Sequence, residues 1–231
     1  MMKQKTALVT GASSGIGKAI AEALLEENYI VYGIGRDFSG CTELDDFHRI
    51  ICDLRDTDQL MRKLQDMPAD DLDLLVNNAG CAYYGMHETL NAEKISEMTR
   101  VDLELPMILC QRYLRILRKN KGMIINIASI TAVSVNTHGA AYGALKAGLL
   151  SFGRSLFEEN RKTGLRVTTI LPDMTDTDLY RNADFMPDPA DGCALEPADI
   201  ASAVLYALHQ REGVTVPEIT IRPQFRRIRK K

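Results

Sequence analysis

Thr-Gly-Ala-Ser-Ser-Gly-Ile-Gly, at residues 10–17, follows an apolar run at residues 6–9 and precedes a helical pattern at residues 18–25. This order of segments predicts a strand, a glycine-rich turn and a helix. Glycines let the backbone turn sharply and come close to a ligand. The free N–H groups at the start of the helix, with the positive end of its dipole, attract a pyrophosphate. The sequence therefore predicts a dinucleotide site at its first strand.

Apolar, β-branched runs recur along the rest of the chain and alternate with helical patterns. Strands are predicted at residues 6–9, 29–33, 48–52, 72–76, 123–127, 165–171 and 218–221, and helices at residues 16–26, 92–118, 140–160 and 197–210. Alternation of this kind is typical of a parallel sheet with helices on both faces. We therefore expect an α/β fold with one Rossmann-type, doubly wound parallel sheet of about seven strands, in a single domain spanning residues 1–231.

The composition is that of an ordinary folded domain. Of the 231 residues, 45% are hydrophobic and 26% are charged. No apolar stretch reaches the roughly 20 residues that a membrane span needs, and the first residues lead directly into a strand, so we expect a cytoplasmic protein with no membrane partner. Five cysteines without a Cys-x-x-Cys pair indicate neither disulfides nor zinc, and we expect no metal.

The last ten residues, 222–231, carry six cations in a chain of net charge -3. Such a basic tail can bind nucleic acid or an acidic surface. Chain termini are usually poorly ordered, however. We therefore expect a frayed, solvated tail and no nucleic-acid partner.

Residues 173–196 show no clear periodicity and contain Pro187, Pro189, Gly192 and several aspartates. A loop of this length inside a compact domain is usually functional and often covers a site. We therefore expect a substrate lid at about residues 173–196.

Ser129, Tyr142 and Lys146 are polar side chains that can take part in one reaction. Tyr142 and Lys146 are four residues apart on a predicted helix and therefore lie on one face. Ser129 follows the predicted strand at residues 123–127, where its hydroxyl can meet Tyr142 across a cleft. Together with the glycine-rich turn and Asn-Asn-Ala-Gly at residues 77–80, this set resembles the short-chain dehydrogenase/reductase family, over nearly the whole chain.

The resemblance implies catalytic roles for four residues. Tyr142 would be the general acid/base, and Ser129 would hydrogen-bond the carbonyl or alcohol oxygen. Lys146 would bind the nicotinamide ribose, and its charge, with that of an oxidised nicotinamide, would lower the Tyr142 pKa towards the operating pH. Asp102 stands where the family usually has an asparagine that holds a water through its main-chain carbonyl. Aspartate keeps that carbonyl, while its carboxylate is expected to alter the pH dependence of the proton relay.

The resemblance also implies which residues contact the cofactor: Gly11, Ser13, Ser14, Gly15, Ile16, Gly17, Arg36, Asp53, Leu54, Asn78, Ala79, Gly80, Tyr142, Lys146, Pro172, Thr175 and Thr177. Asp53 corresponds to an acidic position that binds adenine, although a helix N-cap or an exposed aspartate would look the same. Pro172-Asp173 departs from the family's usual Pro-Gly, so the resemblance does not predict the course of the backbone beside the nicotinamide.

The end of the second predicted strand favours NADP(H) over NAD(H). NAD-preferring relatives carry an acidic side chain at the position of Gly35, while Arg36 stands where NADP-preferring relatives bind the 2′-phosphate with an arginine. A hydrogen bond to a charged group contributes about 1.5 to 3 kcal/mol. The negative charge of Asp37 is expected to weaken the binding of a 2′-phosphate only slightly. Successive side chains in an extended segment point to opposite sides, so Arg36 and Asp37 do not both face the ribose.

These patterns predict an NADP-dependent oxidoreductase that interconverts a small-molecule carbonyl and a secondary alcohol. Tyr83, Tyr84, His87 and His138 are candidates for lining its substrate site. The helix at residues 140–160 offers small residues for close packing, and the resemblance implies that it forms a homodimer or homotetramer interface, although packing within the domain would look the same. The alternative is an NADP-binding sensor or scaffold, with Asp102 and Asp173 as signs of decayed catalysis.

Overall fold

Nine strands and six α-helices alternate along the part of the chain that the computed structural model describes, namely residues 4–41, 45–188, 190, 192–225 and 227–231. The strands are β1 (Lys5–Thr10), β2 (Tyr29–Gly35), β3 (Phe47–Ile51), β4 (Leu72–Asn77), β5 (Met123–Ile127), β6 (Arg166–Pro172), β7 (Phe185–Pro187), β8 (Glu218–Ile221) and β9 (Ile228–Lys230). The helices are α1 (Gly15–Glu26), α2 (Thr57–Lys63), α3 (Ala92–Thr99), α4 (Leu105–Lys119), α5 (Ala140–Asn160) and α6 (Pro197–Leu208).

Seven strands form one parallel sheet in the order β3-β2-β1-β4-β5-β6-β8. The chain builds this sheet outward from β1 in both directions, so its order reverses between β1 and β4. Connections leave the carboxyl ends of these two strands towards opposite sides, which opens a crevice between them. The predicted seven-stranded, doubly wound sheet is confirmed.

The central strands are apolar because both faces of the sheet are covered. On β1, Ala7 and Val9 pack with Ile20 of α1 and Val204 of α6, while Leu8 faces a second core. That second core contains side chains of α2, α4 and α5. Successive strand residues point to opposite faces, so each central strand contributes to both cores.

The helices differ from the prediction in two places. Helix α2 was not predicted; it begins after Asp56, whose side chain accepts the Gln59 N–H at 2.8 Å. The single helix predicted at residues 92–118 is α3 and α4 joined by a π-helical segment, Arg100–Glu104. No helix in the described part of the chain is long and apolar enough to cross a membrane.

The predicted lid has structure of its own, and the basic tail does not fray. A 3-10 turn, Asp178–Asn182, precedes β7, and β7 pairs antiparallel with β9 of the tail. The expectation of a frayed tail was therefore wrong for residues 228–230, whereas these residues are exposed to solvent as expected. The sequence pattern could not predict this pairing, because all three residues of β9 are exposed and leave no apolar pattern.

Candidate active site

The glycine-rich turn between β1 and α1 has the shape of an anion cradle. Gly11 and Gly15 have φ of +68° and +51°, in the left-handed region that favours glycine. A Cβ on Gly17 would lie 2.1 Å from the Gly11 carbonyl oxygen, so the helix can approach the turn only without a side chain there. Ser14 makes no side-chain capping hydrogen bond to α1. The first N–H groups of α1 are thus left for a bound anion, and the turn fits the pyrophosphate of a dinucleotide.

One cavity of about 520 Å³ runs from this turn to Tyr142. It is lined by every residue for which the resemblance implied cofactor contact: Gly11, Ser13, Ser14, Gly15, Ile16, Gly17, Arg36, Asp53, Leu54, Asn78, Ala79, Gly80, Tyr142, Lys146, Pro172, Thr175 and Thr177. Ser129 lines it as well, whereas Asp102 lies behind its wall. In the described ranges no three His, Cys, Asp or Glu side chains come together as metal ligands.

Thr10, which the sequence reasoning did not single out, joins the two strand ends that form the crevice. Its hydroxyl accepts the backbone N–H groups of Asn78 and Ala79, both at 2.9 Å, and donates to the Val76 carbonyl at 3.3 Å. The Asn78 amide in turn donates to the Thr10 carbonyl at 2.8 Å. Asn78 therefore fixes the turn after β4 against the glycine-rich turn. The position of Thr10 at the start of the glycine motif was the available clue.

The three side chains for which the resemblance implied catalysis meet at the other end of the cavity. Tyr142 and Lys146 lie one turn apart on α5 and are buried. Ser129 lies close enough to Tyr142 for its side chain to favour the charged form of the phenol. Lys146 Nζ donates to the Ile127 carbonyl at 3.1 Å, which ties the lysine to the end of β5. The hydroxyls of Ser129 and Tyr142 can thus both hydrogen-bond to one substrate oxygen.

Asp102 contacts Lys146 through its side chain, which the sequence did not predict. The residue is 0% exposed, and its Oδ1 lies 3.0 Å from Lys146 Nζ. Its Oδ2 accepts the backbone N–H of Cys81 at 3.0 Å. Asp102 belongs to the π-helical segment, which carries it behind Lys146. It is therefore an ion-pair partner for Lys146.

The electrostatic environment raises the pKa of Tyr142 well above its ordinary value. Burial is the main cause, and the nearby Tyr84 and Asp102 add to it, while the hydrogen bond with Ser129 opposes it. Burial also raises the pKa of Asp102, against the Lys146 charge and the Cys81 N–H. That Lys146, together with an oxidised nicotinamide, lowers the Tyr142 pKa stays a prediction. The contributions of this chain's own residues raise that pKa, chiefly through burial.

At the end of the cavity that is predicted to hold adenine, the Asp53 carboxylate is already paired with an arginine. Arg36 is exposed at the cavity edge, and the neighbouring Asp37 accepts the Ser39 N–H at 2.8 Å. Both carboxylate oxygens of Asp53 are held by the Arg55 guanidinium, which lowers the Asp53 pKa. Arg55 also lines the cavity, although the sequence analysis did not select it. Its spacing of two residues from Asp53 was the only clue.

Asp173 follows Pro172, where the family commonly has glycine, at the end of the cavity that is predicted to hold the nicotinamide. Its side chain is buried and forms an ion pair with Arg222. Arg222 Nε donates to its Oδ2 at 2.9 Å, and its Oδ1 accepts the Met174 N–H at 2.8 Å. Arg222, counted in the sequence as part of the tail, thus serves the site. The pair fixes the backbone where the usual glycine is missing.

Aromatic side chains cover Tyr142 on the substrate side. Tyr84 lies 6.0 Å from both Tyr142 and Tyr180 and 5.1 Å from Phe185, measured between ring centroids. Of the four predicted lining residues, Tyr84 and His138 line the cavity, and Tyr83 and His87 do not. Tyr180 and Phe185 were missed because they lie in the lid segment, which lacks periodicity.

A family comparison agrees with this geometry. The family model described as short chain dehydrogenase matches residues 5–186. The chain belongs to this family. The protein is therefore a short-chain, NAD(P)-dependent oxidoreductase.

Three relatives show how far the likeness extends. An uncharacterized oxidoreductase of Staphylococcus epidermidis is 34% identical to this dehydrogenase over 230 residues, covering 96% of this chain and 98% of the relative. The alcohol dehydrogenase from the archaeon Thermococcus sibiricus, complexed with 5-hydroxy-NADP, has a TM-score of 0.85 and 25% identity, covering 97% and 99% of the two chains. The 3-ketoacyl-(acyl-carrier-protein) reductase from Brucella melitensis, complexed with NADH, has a TM-score of 0.87, 22% identity and coverage of 98% and 100%, which supports the fold alone.

Proposed function

We propose that this dehydrogenase interconverts a small carbonyl compound and a secondary alcohol with NADP(H), and that Tyr142 is its general acid/base. The observation that carries the proposal is the buried pair of Ser129 and Tyr142 at one end of the cavity whose other end is the anion cradle. A proton donor and a dinucleotide cradle in one cavity suit hydride transfer coupled to proton transfer.

In this proposal the chain binds and orients both reactants. The cradle would hold the pyrophosphate, and Lys146 would hold the nicotinamide ribose. A bound dihydronicotinamide supplies the hydride for the carbonyl carbon. Ser129 donates a hydrogen bond to the carbonyl oxygen, and Tyr142 transfers its proton to that oxygen, so the product is the alcohol. In the reverse direction Tyr142 accepts the hydroxyl proton.

The raised pKa of Tyr142 favours reduction at neutral pH. A raised pKa keeps the phenol protonated to higher pH, and the protonated form is the one that reduction needs. We expect kcat/KM for carbonyl reduction to stay level from about pH 6 to about pH 9 and to fall only above that range. Asp102→Asn removes a negative charge that raises the Tyr142 pKa. In pH-rate profiles the alkaline fall should therefore move to lower pH in that variant, and a move to higher pH would contradict the assignment.

Two observations support NADP(H) over NAD(H). Arg36 is exposed at the adenine end, where it can meet a 2′-phosphate. A Cβ on Gly35 would lie 2.7 Å from both Cβ and Oγ of Ser13, so the present packing leaves no room for the acidic side chain of NAD users. Of the two solved structures described above, the Thermococcus enzyme is complexed with 5-hydroxy-NADP and the Brucella reductase with NADH, so the choice of NADP(H) rests on Arg36 and Gly35.

Arg36→Ala should weaken NADPH binding about 10- to 100-fold and change NADH binding less than about twofold. The estimate is the loss of one hydrogen bond from a cation to a phosphate, about 1.5 to 3 kcal/mol. Titration of nicotinamide fluorescence measures both dissociation constants. Arg62→Ala, an exposed arginine of α2 outside the cavity, is the matched control. Equal losses for the two cofactors would show that Arg36 does not read the 2′-phosphate.

The test of the whole proposal is oxidation of NADPH in the presence of ketones, aldehydes, quinones, keto-sugars and keto-steroids, followed at the nicotinamide absorbance. Turnover that depends on one class of carbonyl supports the proposal. Tight binding of NADPH without turnover of any of these compounds would favour the sensor or scaffold function instead.

A further inference from the structure

The segment 227–231 is tied to the lid along its length. In the β7–β9 pairing, Phe185 lies opposite Lys230 and Pro187 lies opposite Ile228. The backbone N–H of Lys231 donates to the Asp184 carbonyl at 3.0 Å, which extends the contact by one residue. Backbone hydrogen bonds therefore attach the segment to the lid, and this attachment does not depend on the positive charges of its side chains.

The side chain of Lys231 adds a second attachment. Its Nζ donates to the carbonyl oxygens of Tyr180 at 2.7 Å and of Arg181 at 3.2 Å. These carbonyls belong to the 3-10 turn Asp178–Asn182. The Tyr180 carbonyl also accepts the Ala183 N–H at 3.0 Å, so the Lys231 ammonium adds a further donor at the end of this turn. Lys231 thus joins the 3-10 turn to β7 and β9.

The two attached elements carry the rings that face the reacting end. Tyr180 comes from the 3-10 turn and Phe185 from β7, and their ring centroids are 5.6 Å apart. Both rings contact Tyr84, which lies against Tyr142. Ile228 of β9 lines the same cavity. The segment 227–231 therefore holds two of the three rings over Tyr142 and adds an apolar side chain beside them.

We propose that Ile228, Lys231 and the backbone of β9 are part of the substrate site, where they position an aromatic wall that selects carbonyl compounds with an apolar ring next to the carbonyl. This inference rests on the proposed function. A carbonyl oxygen at Ser129 and Tyr142 places the adjoining carbon skeleton beside Tyr84. Faces and edges of Tyr84, Tyr180 and Phe185 offer stacking and apolar contact to a ring, and little to a short aliphatic chain.

Lys231→Ala tests the positioning role, and Lys230→Ala is its matched control. Both variants remove one cation from the segment, but the Lys230 side chain is exposed and only Lys231 reaches the 3-10 turn. With acetophenone as the probe, we expect Lys231→Ala to raise KM about tenfold while kcat and the dissociation constant of NADPH change less than about twofold. Lys231→Arg should restore most of the loss, and Lys230→Ala should match the parent protein.

Hydrogen exchange provides a readout that does not need turnover. Amides of residues 180–186 should exchange about tenfold faster in Lys231→Ala than in Lys230→Ala, because one attachment of the lid is gone. Equal exchange in the two variants would overturn the positioning role, even if the protein reduces no carbonyl. For the substrate class, kcat/KM for acetophenone should exceed that for acetone at least about tenfold in the parent protein. An equal or reversed preference would overturn the class, whereas absence of all carbonyl turnover would count against the proposed function.

Discussion

Tyr142→Phe is expected to lower turnover by about 10²- to 10⁴-fold, the range of general acid/base catalysis by a positioned side chain. Phenylalanine keeps the ring, which is buried against Tyr84, and removes only the hydroxyl beside Ser129. The loss should appear in kcat, because the proton is needed in the transition state rather than for binding. Steady-state kinetics with NADPH and the best carbonyl from the panel measure it.

The control for this variant is Tyr113→Phe. Tyr113 is a buried tyrosine of α4 that does not line the cavity. It should retain turnover within about twofold, and both variants should bind NADPH like the parent protein. Turnover of Tyr142→Phe within about tenfold of the parent would remove Tyr142 from the role of general acid.

Asp102→Asn is expected to lower the free energy of unfolding by about 3 kcal/mol. The change keeps the side-chain shape and an acceptor for the Cys81 N–H, but it leaves the buried ammonium of Lys146 without its ion-pair partner. Loss of one partner from a buried ion pair is costly because the other charge stays out of water. For a chain of this size the midpoint of thermal unfolding should fall by about 6 to 12 °C. Urea unfolding gives the free energy directly.

The double variant Asp102→Asn, Lys146→Met separates the ion pair from the local packing. Removing the second charge as well should recover most of the lost stability, since no buried charge then remains unpaired. Asp73→Asn is the control, because the Asp73 side chain accepts the Thr6 N–H. It should cost about 1 kcal/mol or less. A double variant no more stable than Asp102→Asn would show that the ion pair is not the source of the loss.

The fold could be predicted where burial leaves a pattern in the sequence. The strands of the large sheet are covered on both faces, so they stand out as apolar runs. Helix α2 has Leu60 as its one fully buried residue and therefore no apolar stripe. All three residues of β9 are exposed, and backbone hydrogen bonds alone pair it with β7. Such elements leave no periodicity to read.

The candidate site could be predicted to the extent that its residues follow strand ends. The glycine-rich turn, Ser129 and Tyr142 are placed in one cavity by the topology of the sheet. The ion pairs of Asp102 with Lys146 and of Asp173 with Arg222 could not be predicted, because they join residues far apart in the sequence. Each also lies where this chain departs from its family, so the resemblance offered no guide to the partner.

The close packing of Gly35 against Ser13 limits how this enzyme could acquire a new cofactor preference over evolutionary time. A single Gly35→Asp change would place its Cβ 2.7 Å from the Ser13 side chain, so the intermediate would be strained before it gained any contact with a ribose. Because the Ser13 Cβ itself lies at this distance, only replacement of Ser13 by glycine removes the contact. Under the proposed NADP(H) preference, a change of cofactor would thus depend on the order in which two mutations occur, and the first of them would bring no benefit by itself.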